Sequence, residues 1–313
     1  MVLNILLLLL GLGIVSAGAD ILVRAGSALA HNLGLTPMVI GLTVVAFGTS
    51  TPEMVVSVGG SLQGQDGVAI GNVIGSNIFN IGLILGLCAL IHPLDIKLGF
   101  LKKDGAVMVL LSLGAVCLLS LPVVSRLMGA ILLLCLAGYT TWCIHMGRKE
   151  VVQDIPPGPA RQAFSVKNVV IQISLVILGL VVLVGGSHLF IGKAMTIARA
   201  FNVSETVIGL TIVAAGTSMP ELATSIVAVI KKKYDVAAGN VIGSNIFNLL
   251  GILGLSALVK PLNPEGIISL DLWVMLAFAA GCLPLLWTGL KLQRIEGTLL
   301  VGSYVAYTWM RWP

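Results

Sequence analysis

Charge is scarce in this chain. Of its 313 residues only 10% are Asp, Glu, Lys or Arg, 57% are hydrophobic, and the mean hydropathy is +1.06. Soluble domains carry about 25% charged residues, so a water-soluble protein with a large core is excluded. Cysteine is scarce as well. Cys88, Cys117, Cys135, Cys143 and Cys282 lie in or beside apolar runs and form no C-x-x-C, which argues for buried free thiols and against a redox or metal role. The ten-residue alternation of a transmembrane β-barrel is missing. No basic n-region precedes the first apolar run, MVLNILLLLLGLGIVSAG, so this run is expected to be a retained transmembrane helix. The net charge of +5 does not imply nucleic acid, because the basic residues sit in short loops between apolar runs.

What is present is a series of apolar stretches, each of about 20 residues and so long enough to cross a bilayer as a helix. The expected spans are residues 2–30, 36–63, 67–91, 105–121 and 124–146, then 168–200, 205–230, 235–259, 270–288 and 295–311. Between the two sets, residues 147–167 carry Pro156, Pro157 and Pro159 and read as an extended linker. The fold class expected is therefore an all-α integral membrane protein of ten transmembrane helices. Its halves are residues 1–146 and 168–313. Because each half has an odd number of spans, the second enters the membrane from the opposite side, and the halves are inverted repeats. With the N-terminus outside, thirteen Lys and Arg fall on the inner side, among them Arg24, Lys97, Arg148 and Lys231–Lys233. Five fall outside: Arg126, Lys193, Arg199, Lys260 and Arg311. This asymmetry favours both termini outside and the linker in the cytoplasm.

The repeats are visible in the letters. VIGLTVVAFGTSTPEMVVS and GQDGVAIGNVIGSNIFNIGLILGLCALIHPL return as VIGLTIVAAGTSMPELATS and KYDVAAGNVIGSNIFNLLGILGLSALVKPL. Glu53 and Glu221, Ser76 and Ser244, and Pro93 and Pro261 are each separated by 168 residues, so residues 38–94 and 206–262 align without a gap. Pro52 and Pro220 interrupt helical patterns just before the two glutamates. A proline lacks an N–H and clashes with the carbonyl four residues back. The backbone is expected to loosen there and free carbonyls near Ala46 and Ala214, which membrane proteins tolerate only where the break is packed or lines a wet cavity. Helices 2, 3, 7 and 8 are all expected to be broken.

A carboxylate in mid-membrane costs at least ~2.5 kcal/mol, and this chain accepts that at two equivalent places. Facing one another, Glu53 and Glu221 repel unless a proton or a cation intervenes, and no Lys or Arg lies in either repeat's apolar core. The surrounding donors are hard oxygens: the hydroxyls of Thr49, Ser50, Ser76, Thr217, Ser218 and Ser244, and the amides of Asn80 and Asn248. Such a set suits calcium, sodium or magnesium and disfavours zinc or copper. Ser76 and Asn80 are four apart and share a helix face. Gly71 and Gly75 are expected to admit a close helix neighbour. Asn72, Asn77, Asn240 and Asn245 either bond broken backbone or touch the ion, and Ser57 and Ser225 read as packing. Asp20 reads as a residue at the membrane edge, and the Lys231–Lys233 run as a topology signal.

G-T-S-x-P-E followed by G-N-x-I-G-S-N-I-x-N, written twice, resembles the repeats of the cation/calcium exchanger superfamily, most closely its prokaryotic sodium/calcium exchanger branch. The resemblance covers nearly the whole chain. It implies an antiporter with alternating access in a prokaryotic plasma membrane, with no enzymatic activity, no cofactor and no obligate protein partner, and with calcium and sodium competing for one central cluster. It further implies that Glu53 and Glu221 bind calcium and also serve sodium. Thr49, Thr217, Ala46 and Ala214 would offer backbone carbonyls, Ser50, Ser218, Ser76 and Ser244 would complete the sodium sites, and Asn80 and Asn248 would form the lateral part. Some relatives, potassium-dependent ones included, carry Asp at one of these last two positions, and both are Asn here. The proton-coupled branch usually carries G-N-x-x-E in place of G-T-S-x-P-E, so sodium/calcium antiport is the reading. Proton/calcium exchange is its alternative, and a cation channel is a more distant one. An intramembrane enzyme has no nucleophile–base pair to stand on.

Overall fold

The computed structural model describes residues 1–95, 101–154, 166–201, 214–265, 267, 269–287 and 291–311. Among them nearly all are helical. The helices are α1 (Val2–Leu33), α2 (Pro37–Thr49), α3 (Thr51–Leu62), α4 (Asp66–Ile91), α5 (Ala106–Leu119) and α6 (Arg126–Asp154), followed by α7 (Val166–Ala200), α8 (Ala214–Thr217), α9 (Met219–Ile230), α10 (Tyr234–Val259), α11 (Ser269–Trp287) and α12 (Arg294–Arg311). By length and composition α1, α4, α6, α7 and α10 can each cross a bilayer, and the pair α2–α3, bent by 48°, makes a sixth crossing.

Local chemistry sets the boundaries. Gly34 takes the left-handed conformation (φ 64°) that ends α1, and its N–H reaches the carbonyls of Ala30 and His31. Thr36 then accepts from the Val39 N–H, so α2 starts at Pro37, whose fixed φ suits the first turn. At the other end of α2, Ser50 leaves helical geometry (φ −80°, ψ 11°) and Pro52 opens α3. Ser218 does the same before Pro220 (φ −88°, ψ 10°). The helix breaks expected in spans 2 and 7 are therefore present, although residues 202–213 of span 7 lie outside the described residues.

Two expectations are corrected. Spans 3 and 8 are not broken: α4 and α10 run continuously and instead widen into π-helical turns at Asn80–Leu85 and Asn248–Ile252. Neither segment contains a proline, and a π turn shifts the side chains by one residue without interrupting the ladder. The linker also begins later than expected, because α6 continues to Asp154. Nothing in GRKEVVQD breaks a helix, since it holds neither a proline nor an internal glycine. The linker prolines themselves lie outside the described residues.

The apolar windows of α4 and α10 are 72% and 89% buried, those of α1, α6 and α7 only 28%, 17% and 22%. The motif-bearing helices thus form the centre. The outer helices show Leu, Val and Ile outward, as at Leu6, Leu127 and Val181. Cys117 and Cys135 share that outer surface, so the expectation of five buried thiols is corrected: only Cys88, Cys143 and Cys282 are buried. α1 and α7 touch backbone to backbone. A Cβ at Gly18 would lie 2.5 Å from the Leu183 nitrogen, and one at Gly179 would lie 2.9 Å from the Leu22 nitrogen.

Two short antiparallel pairings tie the halves together. Strand β1 (Leu94–Asp95) pairs with β2 (Lys291–Leu292), with Leu94 opposite Leu292, and Val124 pairs with Leu262. The second pairing is the first with each residue replaced by its repeat equivalent, since 262 is 94 and 292 is 124 advanced by 168. Each half thus contributes one side of both pairings, with the roles exchanged.

Candidate cation site

The breaks at Ser50 and Ser218 bring the two glutamates to the middle of the molecule. Glu53 and Glu221 are each only 1% exposed. Each is held by the serine of the other half: Ser50 Oγ donates to Glu221 Oε1 at 2.7 Å, and Ser218 Oγ donates to Glu53 Oε1 at 2.7 Å. The second oxygen of each carboxylate, Glu53 Oε2 and Glu221 Oε2, is buried without a partner.

The asparagines complete the frame. Asn72 Nδ2 donates to the Glu53 carbonyl (3.0 Å) and Ser57 Oγ (2.8 Å). Asn240 Nδ2 donates to the Glu221 carbonyl (3.3 Å) and Ser225 Oγ (2.9 Å). This pair therefore bonds backbone, one of the two roles expected, and Ser57 and Ser225 are acceptors rather than simple packing. Asn77 and Asn245 bond side chains in place of backbone. Each bonds an asparagine of the opposite half: Asn80 Nδ2 donates to Asn245 Oδ1, and Asn248 Nδ2 donates to Asn77 Oδ1, both at 3.2 Å. Their own Nδ2 groups donate to methionine sulfurs, Asn77 to Met275 Sδ at 3.7 Å and Asn245 to Met108 Sδ at 3.5 Å. Asn80 Oδ1 and Asn248 Oδ1 are buried and unpartnered.

Among the remaining candidates, Ser76 Oγ lies 3.4 Å from Ser218 Oγ, and the buried Ser244 Oγ has no partner. The Ala46 carbonyl is not free here. It accepts from the Ser50 N–H (3.0 Å) and from Thr49 Oγ1 (3.2 Å), and Thr49 Oγ1 also lies 3.2 Å from Asn240 Oδ1. Ala214 and Thr217 begin and end α8, directly before the second break. Outside the centre, Asp20 pairs with Arg24 at 2.9 Å and with Lys231, so it belongs to a surface ion cluster. Among the described residues no three His, Cys, Asp or Glu side chains converge. Among the candidate ligands the unpartnered oxygens are thus two carboxylate, two amide and one hydroxyl, all hard donors of the kind that calcium and sodium take.

A family model described as sodium/calcium exchanger protein matches residues 3–145 and 171–312. The chain belongs to the sodium/calcium exchanger family. It is similar to the putative antiporter CaxA of Alkalimonas amylolytica (35% identity, 96% of each chain) and to the sodium/calcium exchanger MaX1 of Methanosarcina acetivorans (33%, 97% of each). Among solved structures it resembles the sodium-calcium exchanger NCX_Mj soaked with 10 mM sodium and no calcium, with a TM-score of 0.84, 32% identity and 97% of each chain covered. The chain is accordingly a multi-pass membrane transporter that exchanges calcium with another cation, and neither an enzyme nor a cofactor-dependent protein.

Met108 and Met275 escaped the sequence reading because methionine counts as apolar. A signal was available: Asp104-Gly-Ala-Val-Met108 and Asp271-Leu-Trp-Val-Met275 share the pattern D-x-x-V-M in both halves, one residue off the offset of the main repeat.

Proposed function

We propose that this exchanger couples calcium to sodium, by alternating access at a single site shared between two inverted five-helix halves, residues 1–146 and 168–313. The ten-span plan, the segment between Asp154 and Val166 in the cytoplasm, and both termini outside a prokaryotic plasma membrane complete this reading. The exchanged pairings support the two-fold relation: in the proposed orientation Leu94 and Leu292 lie at the inner surface and Val124 and Leu262 at the outer.

The observation that carries the site assignment is the reciprocal bonding of Ser50 to Glu221 and Ser218 to Glu53, which leaves one oxygen of each glutamate unpartnered. Calcium takes Glu53 and Glu221 from both halves at once, and sodium ions take the same carboxylates with Ser50, Ser218, Ser76 and Ser244. Thr49, Thr217, Ala46 and Ala214 supply carbonyls when the short bonds now made to Ala46 turn away. Asn80 and Asn248 supply lateral oxygens. Sodium is favoured over the proton because every donor around the carboxylates is a neutral hydroxyl or amide, and the pair Ser50/Ser218 gives sodium its own oxygen ligands.

Flux into proteoliposomes tests this. An outward-directed sodium gradient is expected to drive calcium-45 uptake, with no uptake when the internal sodium is replaced by choline. Uptake driven as well by a proton gradient in the absence of sodium overturns the sodium assignment. Calcium movement down its own gradient with no counter-ion points to a channel instead.

A further inference from the structure

The central asparagines form two chains of amides, and each chain ends on a methionine. Met108 Sδ accepts from Asn245 Nδ2, whose Oδ1 accepts from Asn80 Nδ2; Met275 Sδ accepts from Asn77 Nδ2, whose Oδ1 accepts from Asn248 Nδ2. All six side chains are buried, Met108 and Met275 at 0% and 1% exposure.

A primary amide can be turned end for end in the same space, so its polarity is decided by its neighbours. A thioether sulfur carries no hydrogen and can only accept. It therefore draws the NH2 end of the neighbouring amide, and that amide must show its oxygen to the next one. The second amide answers with its own NH2, and its oxygen is left pointing away from the chain. Both chains end in this way, on the unpartnered Asn80 Oδ1 and Asn248 Oδ1. With the opposite polarity each would end on an NH2 group, which repels a cation.

We propose that Met108 and Met275 are positioning residues that fix the polarity of these amide chains, so that Asn80 and Asn248 present carbonyl oxygens to the calcium ion. This inference rests on the site assigned above. The methionines are themselves anchored. One turn before each lies an aspartate, and Tyr139 Oη donates to Asp104 Oδ1 just as Tyr307 Oη donates to Asp271 Oδ1, both at 2.9 Å. The Asp-to-Met spacing is the same in both halves although the surrounding residues differ. A methionine used only as filler needs no such repetition.

Equilibrium binding of calcium-45 to the purified full-length chain in sodium-free detergent solution tests the proposal. Met108→Leu keeps the volume and removes the acceptor, and is expected to weaken calcium binding about tenfold, the scale of one hydrogen-bonding interaction with a charge. Met108→Gln restores an acceptor oxygen at similar reach and is expected to recover most of the affinity. Met108→Leu combined with Asn80→Ala is expected to bind no more weakly than Asn80→Ala alone, because the methionine acts through Asn80. Wild-type affinity in Met108→Leu, failure of Met108→Gln to recover, or an additive double variant reduces the methionine to packing and overturns the proposal. If Met108→Leu does not survive purification, Met275→Leu, Met275→Gln and Asn248→Ala put the same question through the other chain. Glu53→Gln separates the two levels: unchanged binding in that variant, or no binding in the wild type, overturns the site assignment and the relay together, whereas its loss beside a normal Met108→Leu overturns the relay alone.

Discussion

Gly71–Asn80 and Gly239–Asn248 are the same ten letters, GNVIGSNIFN, in different surroundings. In the second copy every residue is buried, and the helix is pressed onto the start of α2. A Cβ at Gly239 would lie 2.7 Å from the Met38 carbonyl oxygen, and one at Gly243 would lie 2.5 Å from that of Leu42. In the first copy Gly71 and Gly75 are exposed, and among the described residues nothing lies within 4 Å of a Cβ at either. The expectation of a close helix neighbour is met at Gly239 and Gly243; the segment equivalent to Met38–Leu42 in the other half, residues 206–210, lies outside the described residues. Part of the difference is written in the sequence. Phe247 stacks on Phe47 at 4.4 Å, whereas the position equivalent to Phe47 is Ala215, and Phe79 packs edge-on against Tyr304 instead. The ten letters themselves are identical, so any difference in their surroundings comes from residues outside them.

The largest effect expected treats the halves as equal. Glu53→Gln and Glu221→Gln are each expected to abolish calcium-45 uptake in proteoliposomes, since each carboxylate is also the acceptor for the other half's serine. Retained transport in one of them would show that one half binds calcium alone. The next prediction concerns the packed copy. Gly243→Ala is expected to cost about 1–3 kcal/mol through overpacking, seen as a lower melting temperature in detergent, and Gly75→Ala measured beside it shows whether the first copy is packed as tightly. An unchanged melting temperature in Gly243→Ala would contradict the close approach to Leu42. A smaller difference is expected at the asparagines behind the glutamates. Removing either leaves acceptors unpaired at about 1–3 kcal/mol, but the bonds of Asn240 are fully buried and those of Asn72 only partly. Asn240→Ala should therefore melt lower than Asn72→Ala, because water can replace the latter's contacts. The smallest effect concerns the thiols. A membrane-permeant maleimide is expected to label Cys117 and Cys135 and to spare Cys88, Cys143 and Cys282 in the folded protein, and Cys117→Ser and Cys135→Ser should shift stability by no more than about 0.5 kcal/mol.

Much of the site was legible because its information is local and doubled. A proline one residue before a glutamate, in two apolar segments related by a constant offset, announces both the break and the paired carboxylates. The backbone role of Asn72 and Asn240 was one of two open options for the same reason. What could not be read depends on partners distant in the chain. The choice of π turns over breaks at Asn80 and Asn248 leaves no mark comparable to a proline. The cross-bonding of Asn77 to Asn248 joins residues that only the assembled halves bring together. Met108 and Met275 were invisible because hydropathy ignores the lone pairs on sulfur, and the exposure of Cys117 and Cys135 because an apolar run does not reveal which face meets lipid.

The exchanged pairings of Leu94 with Leu292 and of Val124 with Leu262 bear on how the chain is made. Each half holds one side of both straps, so the first half leaves the ribosome with unpaired backbone groups and an unmatched glutamate, and finishes only when the second half arrives. Both pairings therefore close only once the two halves are present together.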